Sequence, residues 1–120
     1  MIWNERLLSA LEDTCIRIVK YQLILQFVAN SLQDFDFLVA LEDQLIEELD
    51  EFAKVDGHDF GSGEFNIFIL TDDPVAVFDK AHETLIKQGV PNVFRSAYHT
   101  LDREDYVILW PSSLRQFRVH

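Results

Sequence analysis

The chain is short of several things at once. Among its 120 residues there is one cysteine, one methionine, three prolines and four glycines. A lone Cys15 excludes a disulfide within the chain and suits a reducing compartment. So little glycine and proline, set against ten phenylalanines, argues for a packed core and against disorder. No apolar run approaches the roughly 18 residues that a membrane-spanning helix needs. The start, MIWNERLLSALEDTC, lacks the basic-then-apolar order of a signal peptide. The expectation is a cytoplasmic protein with a single domain over residues 1–120, long enough to bury a core.

Basic residues are also scarce. Ten Lys and Arg face 21 Asp and Glu, for a net charge of −11. The deficit is local: residues 31–60 hold ten acids and one base, Lys54, whereas residues 1–30 are balanced at three of each. Nucleic acid and membrane are disfavoured as partners, because phosphates need Lys and Arg to replace their counterions. A basic protein partner suits this surface, and a homodimer is compatible with it.

What is present reads as an α+β chain. Residues 4–20 show helical spacing, with Leu7, Leu8, Leu11, Cys15, Ile18 and Val19 on one side. YQLILQFVAN then alternates, Tyr21, Leu23, Leu25 and Phe27 making the strongly apolar face of a strand. A helix running on to Asn30 is the alternative. The next segment is a helix capped by Ser31 or Asp34. Its apolar stripe is Phe35, Leu38, Leu41, Leu45, Leu49 and Phe52; Glu42, Asp43, Glu47, Glu48, Asp50 and Glu51 fall mostly on the solvent side. EFNIFILT is apolar on both faces, as a central strand is. Asp73 and Pro74 open a further helix with Val77, Phe78, Ala81, Leu85 and Ile86 inward and His82 facing solvent. Two strands close the pattern, NVFRSAYHT and DYVILWPS, the second with Tyr106, Ile108 and Trp110 on one face. Leu114 and Phe117 are expected to pack the tail over a sheet edge.

A short strand fits near AKVDGHDF, and a turn at GSG would reverse the chain, since Gly61 and Gly63 tolerate positive φ. From residue 21 to about 99 the order becomes β-α-β-β-α-β. This is the ferredoxin-like, split βαβ plan: an antiparallel sheet with helices on one face, here with an extra N-terminal helix and an extra C-terminal strand.

The most crowded stretch for chemistry is VDGHDFGSGE. Asp56, His58, Asp59 and Glu64 are donors of the kind that hold a divalent metal, although their spacing matches no named metal motif. In an unbroken strand Asp56 and His58 point the same way and Asp59 the other. A polar hairpin in which these side chains satisfy turn backbone accounts for the same residues. The glycines precede a strand instead of opening a helix, so they make no phosphate loop. No serine sits in a nucleophile elbow, and Cys15 lies on an apolar stripe where a buried thiol is inert. No catalytic residue and no cofactor is expected, and an enzyme is the less favoured class. The expected function is that of a non-enzymatic acidic binding protein. Its partner-binding residues would be Glu47, Glu48, Asp50, Glu51, Asp56 and Asp59, forming one negative patch. The alternative is a small-ligand or divalent-metal domain with its site at the residue 56–64 hairpin.

The run DGHDFGSGEFNIFILTDDP, together with EDYVILWP, resembles a family of small uncharacterised bacterial proteins. Some of these resemble immunity partners in toxin systems. The likeness covers roughly the second half of the chain and carries no motif of established chemistry. It implies an immunity or inhibitor role and transfers no catalytic residue.

Overall fold

The computed structural model describes residues 19–119. These form five strands, β1 (Tyr21–Val28), β2 (Lys54–Gly61), β3 (Glu64–Thr71), β4 (Arg95–Thr100) and β5 (Val107–Trp110), and two α-helices, α1 (Leu32–Leu49) and α2 (Pro74–Lys87). A 3₁₀ turn, Asp50–Phe52, follows α1. The strands make one antiparallel sheet in the order β2-β3-β1-β4-β5. The fold is therefore α+β. The helix expected over residues 4–20 lies outside the described residues except for Val19 and Lys20, which belong to neither helix nor strand. Neither α1 nor α2 is long and apolar enough to cross a membrane.

Tyr21–Val28 is a strand, not a continuation of helix, as its alternation indicates. Leu23, Leu25 and Phe27 stand opposite Ile69, Ile67 and Phe65 on β3, so all six face one side. There they meet Leu38, Leu41, Leu45 and Leu49 of α1 and Val77, Phe78, Ala81 and Leu85 of α2. At roughly 1.5–3 kcal/mol for each large apolar side chain buried, this layer is the main stabilising element. Ser31 Oγ accepts from Asp34 N at 3.0 Å while Asp34 Oδ2 accepts from Asn30 N at 2.9 Å, closing the start of α1 reciprocally. At α2, Asp73 Oδ1 accepts from Ala76 N, with Pro74 in the first turn. Ile86, expected inward, is exposed, and Thr84 takes the buried position. The i+3 step from Ala81 leads to Thr84, and Ile86, two residues on, lies about 200° further round the helix.

β1 departs from its reading in one respect: Ile24 and Gln26 are as buried as Leu23 and Leu25. The second sheet face is covered by the C-terminal segment. Phe117 packs there on Ile24 and Ala97, with Phe68, Tyr106, Ile108 and Leu114 around them. The tail thus lies over a face, not over an edge. Gln26 Nε2 fastens it, 2.9 Å from Arg118 O, 3.0 Å from Asn66 Oδ1 and 3.4 Å from Glu64 Oε1. A bulge corrects the expected faces of β5. Ser96 pairs with Trp110 but Ala97 with Ile108, which leaves Leu109 as the extra residue. Trp110 and Leu109 therefore join the helix-side core while Ile108 and Tyr106 join the tail side.

Candidate functional site

The hairpin β2–β3 turns on Ser62 and Gly63, at φ of 54° and 77°. Positive φ at both central residues is the I′ geometry that matches strand twist. The left-handed positions fall on Ser62 and Gly63, so Gly61, expected to supply one, does not. Gly63 O also accepts from Ala29 N at 3.0 Å, tying the turn to the end of β1. Gly63→Ala is expected to lower stability by about 1–2 kcal/mol, the usual strain of a left-handed non-glycine residue. A new Cβ would also sit 3.3 Å from Asn30 Oδ1. Ser62→Asn, which creates the favoured Asn-Gly pair, is expected to move the urea midpoint the opposite way.

A second bulge decides where the polar residues of β2 go. Val55 pairs with Ile69 and Gly57 with Phe68, so Asp56 is the extra residue, next to Gly57 at φ 130°. Beyond it the register is regular: His58 opposite Ile67, Asp59 opposite Asn66, Phe60 opposite Phe65. His58 and Phe60 consequently face the helix layer and Asp59 the tail side. His58 stacks on Phe65 with ring centroids 4.6 Å apart, and Phe35 meets His58, Phe60 and Phe65 edge-on.

Under His58 lies Glu42. Its Oε1 is 2.8 Å from His58 Nδ1, and its side chain is 10% exposed against 30% for the imidazole. The expectation that Glu42 faces solvent is thus corrected. Leu38, Glu42, Leu45 and Leu49 follow one another at helical spacing on the buried side of α1, where His58 supplies the polar partner. An ionised Glu42 only accepts, so His58 Nδ1–H donates to it and the ring is held in one orientation. Among the described residues Nε2 has no hydrogen-bond partner.

The four residues of the metal reading are not brought together. His58 turns to Glu42 on the helix side, Asp56 bulges at the strand edge, and Asp59 and Glu64 lie on the other sheet face. Among the described residues no three His, Cys, Asp or Glu side chains are gathered where an ion could bind. The partner-binding residues are placed more simply. Glu47, Asp50, Glu51, Asp56 and Asp59 are exposed, and Glu48 is half-buried, accepting from Gln44 Nε2 at 3.2 Å. Among the described residues, none of these acids forms an ion pair. Asp59 opens on the sheet face opposite α1, so the six acids are divided between two sides of the sheet instead of forming one flat patch.

Two other imidazoles are built into the fold. His82, expected in solvent, is half-buried with its ring centroid 4.8 Å from that of Trp110 and 5.4 Å from that of Phe94. His99 holds the β4–β5 loop, with Nδ1 2.7 Å from Thr100 O and 2.6 Å from Arg103 O. The Tyr106 phenol, packed on Phe117, is raised above its ordinary value by burial, with Glu104 adding to the effect. Comparison with protein-family models, with curated proteins and with solved structures found no match.

Proposed function

We propose that this chain is a non-enzymatic acidic binding protein that engages a basic protein partner, as an immunity or inhibitor protein would. The observation that carries the proposal is a set of exposed acids that form no ion pair among the described residues, Glu47, Asp50, Glu51, Asp56 and Asp59, at one end of α1 and along β2. Unpaired like charges repel one another and cost stability, and a basic surface removes that cost while steering the encounter. The likeness of the DGHDFGSGEFNIFILTDDP stretch to small bacterial proteins, some resembling immunity partners, agrees with it. We place the protein in the cytoplasm on the strength of its lone cysteine. We assign the ferredoxin-like plan to the fold, supported by the order β2-β3-β1-β4 and by both helices lying on one sheet face, with β5 extending the sheet.

The test is charge reversal. A partner recovered at low salt should associate with this chain more slowly as salt is added, since surface charges are screened beyond about 10 Å at 0.1 M. Glu47→Lys, Glu48→Lys and Glu51→Lys together should lower the association rate by about tenfold or more. An unchanged rate in a folded triple variant retires the proposal. The second reading, a small-ligand or divalent-metal domain at the residue 56–64 hairpin, has one support: His58 is oriented through Nδ1 and keeps Nε2 without a partner among the described residues. Titration with zinc, manganese and calcium tests it; a site there should raise the melting temperature with one of them, as any ligand of the native state does.

A further inference from the structure

We propose that the outer edge of β2 receives an extended, basic segment of the partner as a sixth strand. This rests on the acidic-partner reading and says how such a partner docks. Among the described residues the edges of the sheet are β2 and β5. β5 is only four residues long and runs into Pro111. Short length and proline are the usual means by which an edge is kept from pairing. β2 is eight residues long. Its first half carries Lys54 and the Asp56 bulge, which blunt it. From His58 to Gly61 it has no proline, no lysine and a regular register. Among the described residues no strand pairs with its outer side, so a row of backbone N–H and C=O groups is presented there. Main-chain groups of this kind supply the affinity when a partner adds a strand, and side chains on either side supply the choice of strand.

The surroundings define the occupant. Glu42 reaches His58 from α1, and Phe35 touches Phe60, so this side of α1 stands over β2. Beyond that contact, Val39, Asp43 and Ile46 run down the helix at helical spacing, and Asp50 follows in the 3₁₀ turn. Ile46 is 50% exposed and Phe60 47%. Asp43 is exposed on the helix, Asp50 on the turn that follows it, and Asp56 and Asp59 on the strand. An incoming strand therefore meets free backbone, two apolar side chains and four carboxylates. Alternating apolar residues with Lys or Arg complements all three. A second copy of this chain does not: β2 against β2 would set Asp56 and Asp59 of one chain against those of the other, and like charges facing across a strand pair destabilise it.

The experiment uses the full chain and a short synthetic peptide alternating Lys or Arg with Val or Ile. At low salt the peptide should slow amide exchange at His58–Gly61 and leave exchange at β5 unchanged. N-methylation of the alternate peptide residues that face β2 should weaken binding by about tenfold, the effect of one or two lost hydrogen bonds. Methylation of the residues facing away should not. If Glu47→Lys, Glu48→Lys and Glu51→Lys weaken binding but neither methylated peptide differs from the parent, the acidic reading stands and the sixth strand falls. If methylation matters but neither that charge reversal nor Asp43→Lys with Asp56→Lys and Asp59→Lys changes binding, the edge takes a strand but the basic partner falls. Absence of binding, protection of His58–Gly61 already present in the dilute free chain, or protection that grows with protein concentration each overturn the proposal. The last two would assign the edge to another part of the chain or to a second copy.

Discussion

Ile67→Ala is expected to destabilise the protein by about 2–5 kcal/mol, the range for truncating a large aliphatic side chain in a core. The side chain has no solvent exposure. It lies on β3, which has β2 on one side and β1 on the other, and it faces Leu25 across the β1 pair. Helix α1 closes the space above, where Leu38, Leu41 and Leu45 belong to the same core. Neither the sheet nor the helix can move into the void without breaking other pairings, so the cavity term should remain nearly whole. Ile67→Val removes one methylene and should cost about 0.5–1.5 kcal/mol. Urea denaturation with an unchanged slope reads both values. A loss below 1 kcal/mol for the alanine variant would mean that β3 is not a central strand.

His58→Ala should produce the second large loss, about 1–3 kcal/mol, because it leaves the Glu42 carboxyl buried without its partner. The substitution also removes the ring that covers Phe65. The informative comparison is the pair Glu42→Leu with His58→Phe. It keeps the stacking on Phe65 and removes both polar groups, and replacements of this kind are often neutral or stabilising. Recovery of wild-type stability in the double variant would identify the pair as a structural element of the β2–α1 contact. A loss in the double variant equal to or larger than that of His58→Ala would show that the pair contributes more than its own satisfaction. Thermal and chemical denaturation of the wild type and both variants at one pH provide the comparison.

The elements that could be read from the sequence are those whose hydrophobic period is clean. EFNIFILT is apolar at successive positions and is the strand β3; the Leu38, Leu41, Leu45, Leu49 series is the buried side of α1; Asp73-Pro74 opens α2. The misreadings have specific physical origins. Charge alone places Glu42 in solvent, although its spacing from Leu38 and Leu45 puts it on the buried stripe; position, not residue type, carries the signal. The two bulges carry no periodic signature. Gly57 is the one hint of the first, and nothing in VILW announces the second, yet each reverses the faces of the residues beyond it. For that reason the acids and His58 of β2 did not gather into one cluster. The burial of Gln26 and Ile24 depends on a segment some 90 residues further along the chain, which local patterning does not register. The acidic concentration, by contrast, is arithmetic on the sequence, and the structure adds that two of its members, Asp56 and Asp59, lie on an edge strand.

The bulge at Leu109 has an optical consequence. By turning Trp110 to the helix side it sets the indole on Phe94, ring centroids 6.0 Å apart, and beside His82. The indole Nε1 is buried without a hydrogen-bond partner among the described residues. Such an indole emits as a buried chromophore while the β4–β5 side is folded and shifts to longer wavelength when that side opens. It stands at the edge remote from β2, four strand spacings or about 19 Å across the sheet. With Trp3 replaced by Phe, its emission would follow unfolding of the sheet and ignore anything that docks on β2. Each binding experiment on the acidic edge then carries its own folding control in the same cuvette.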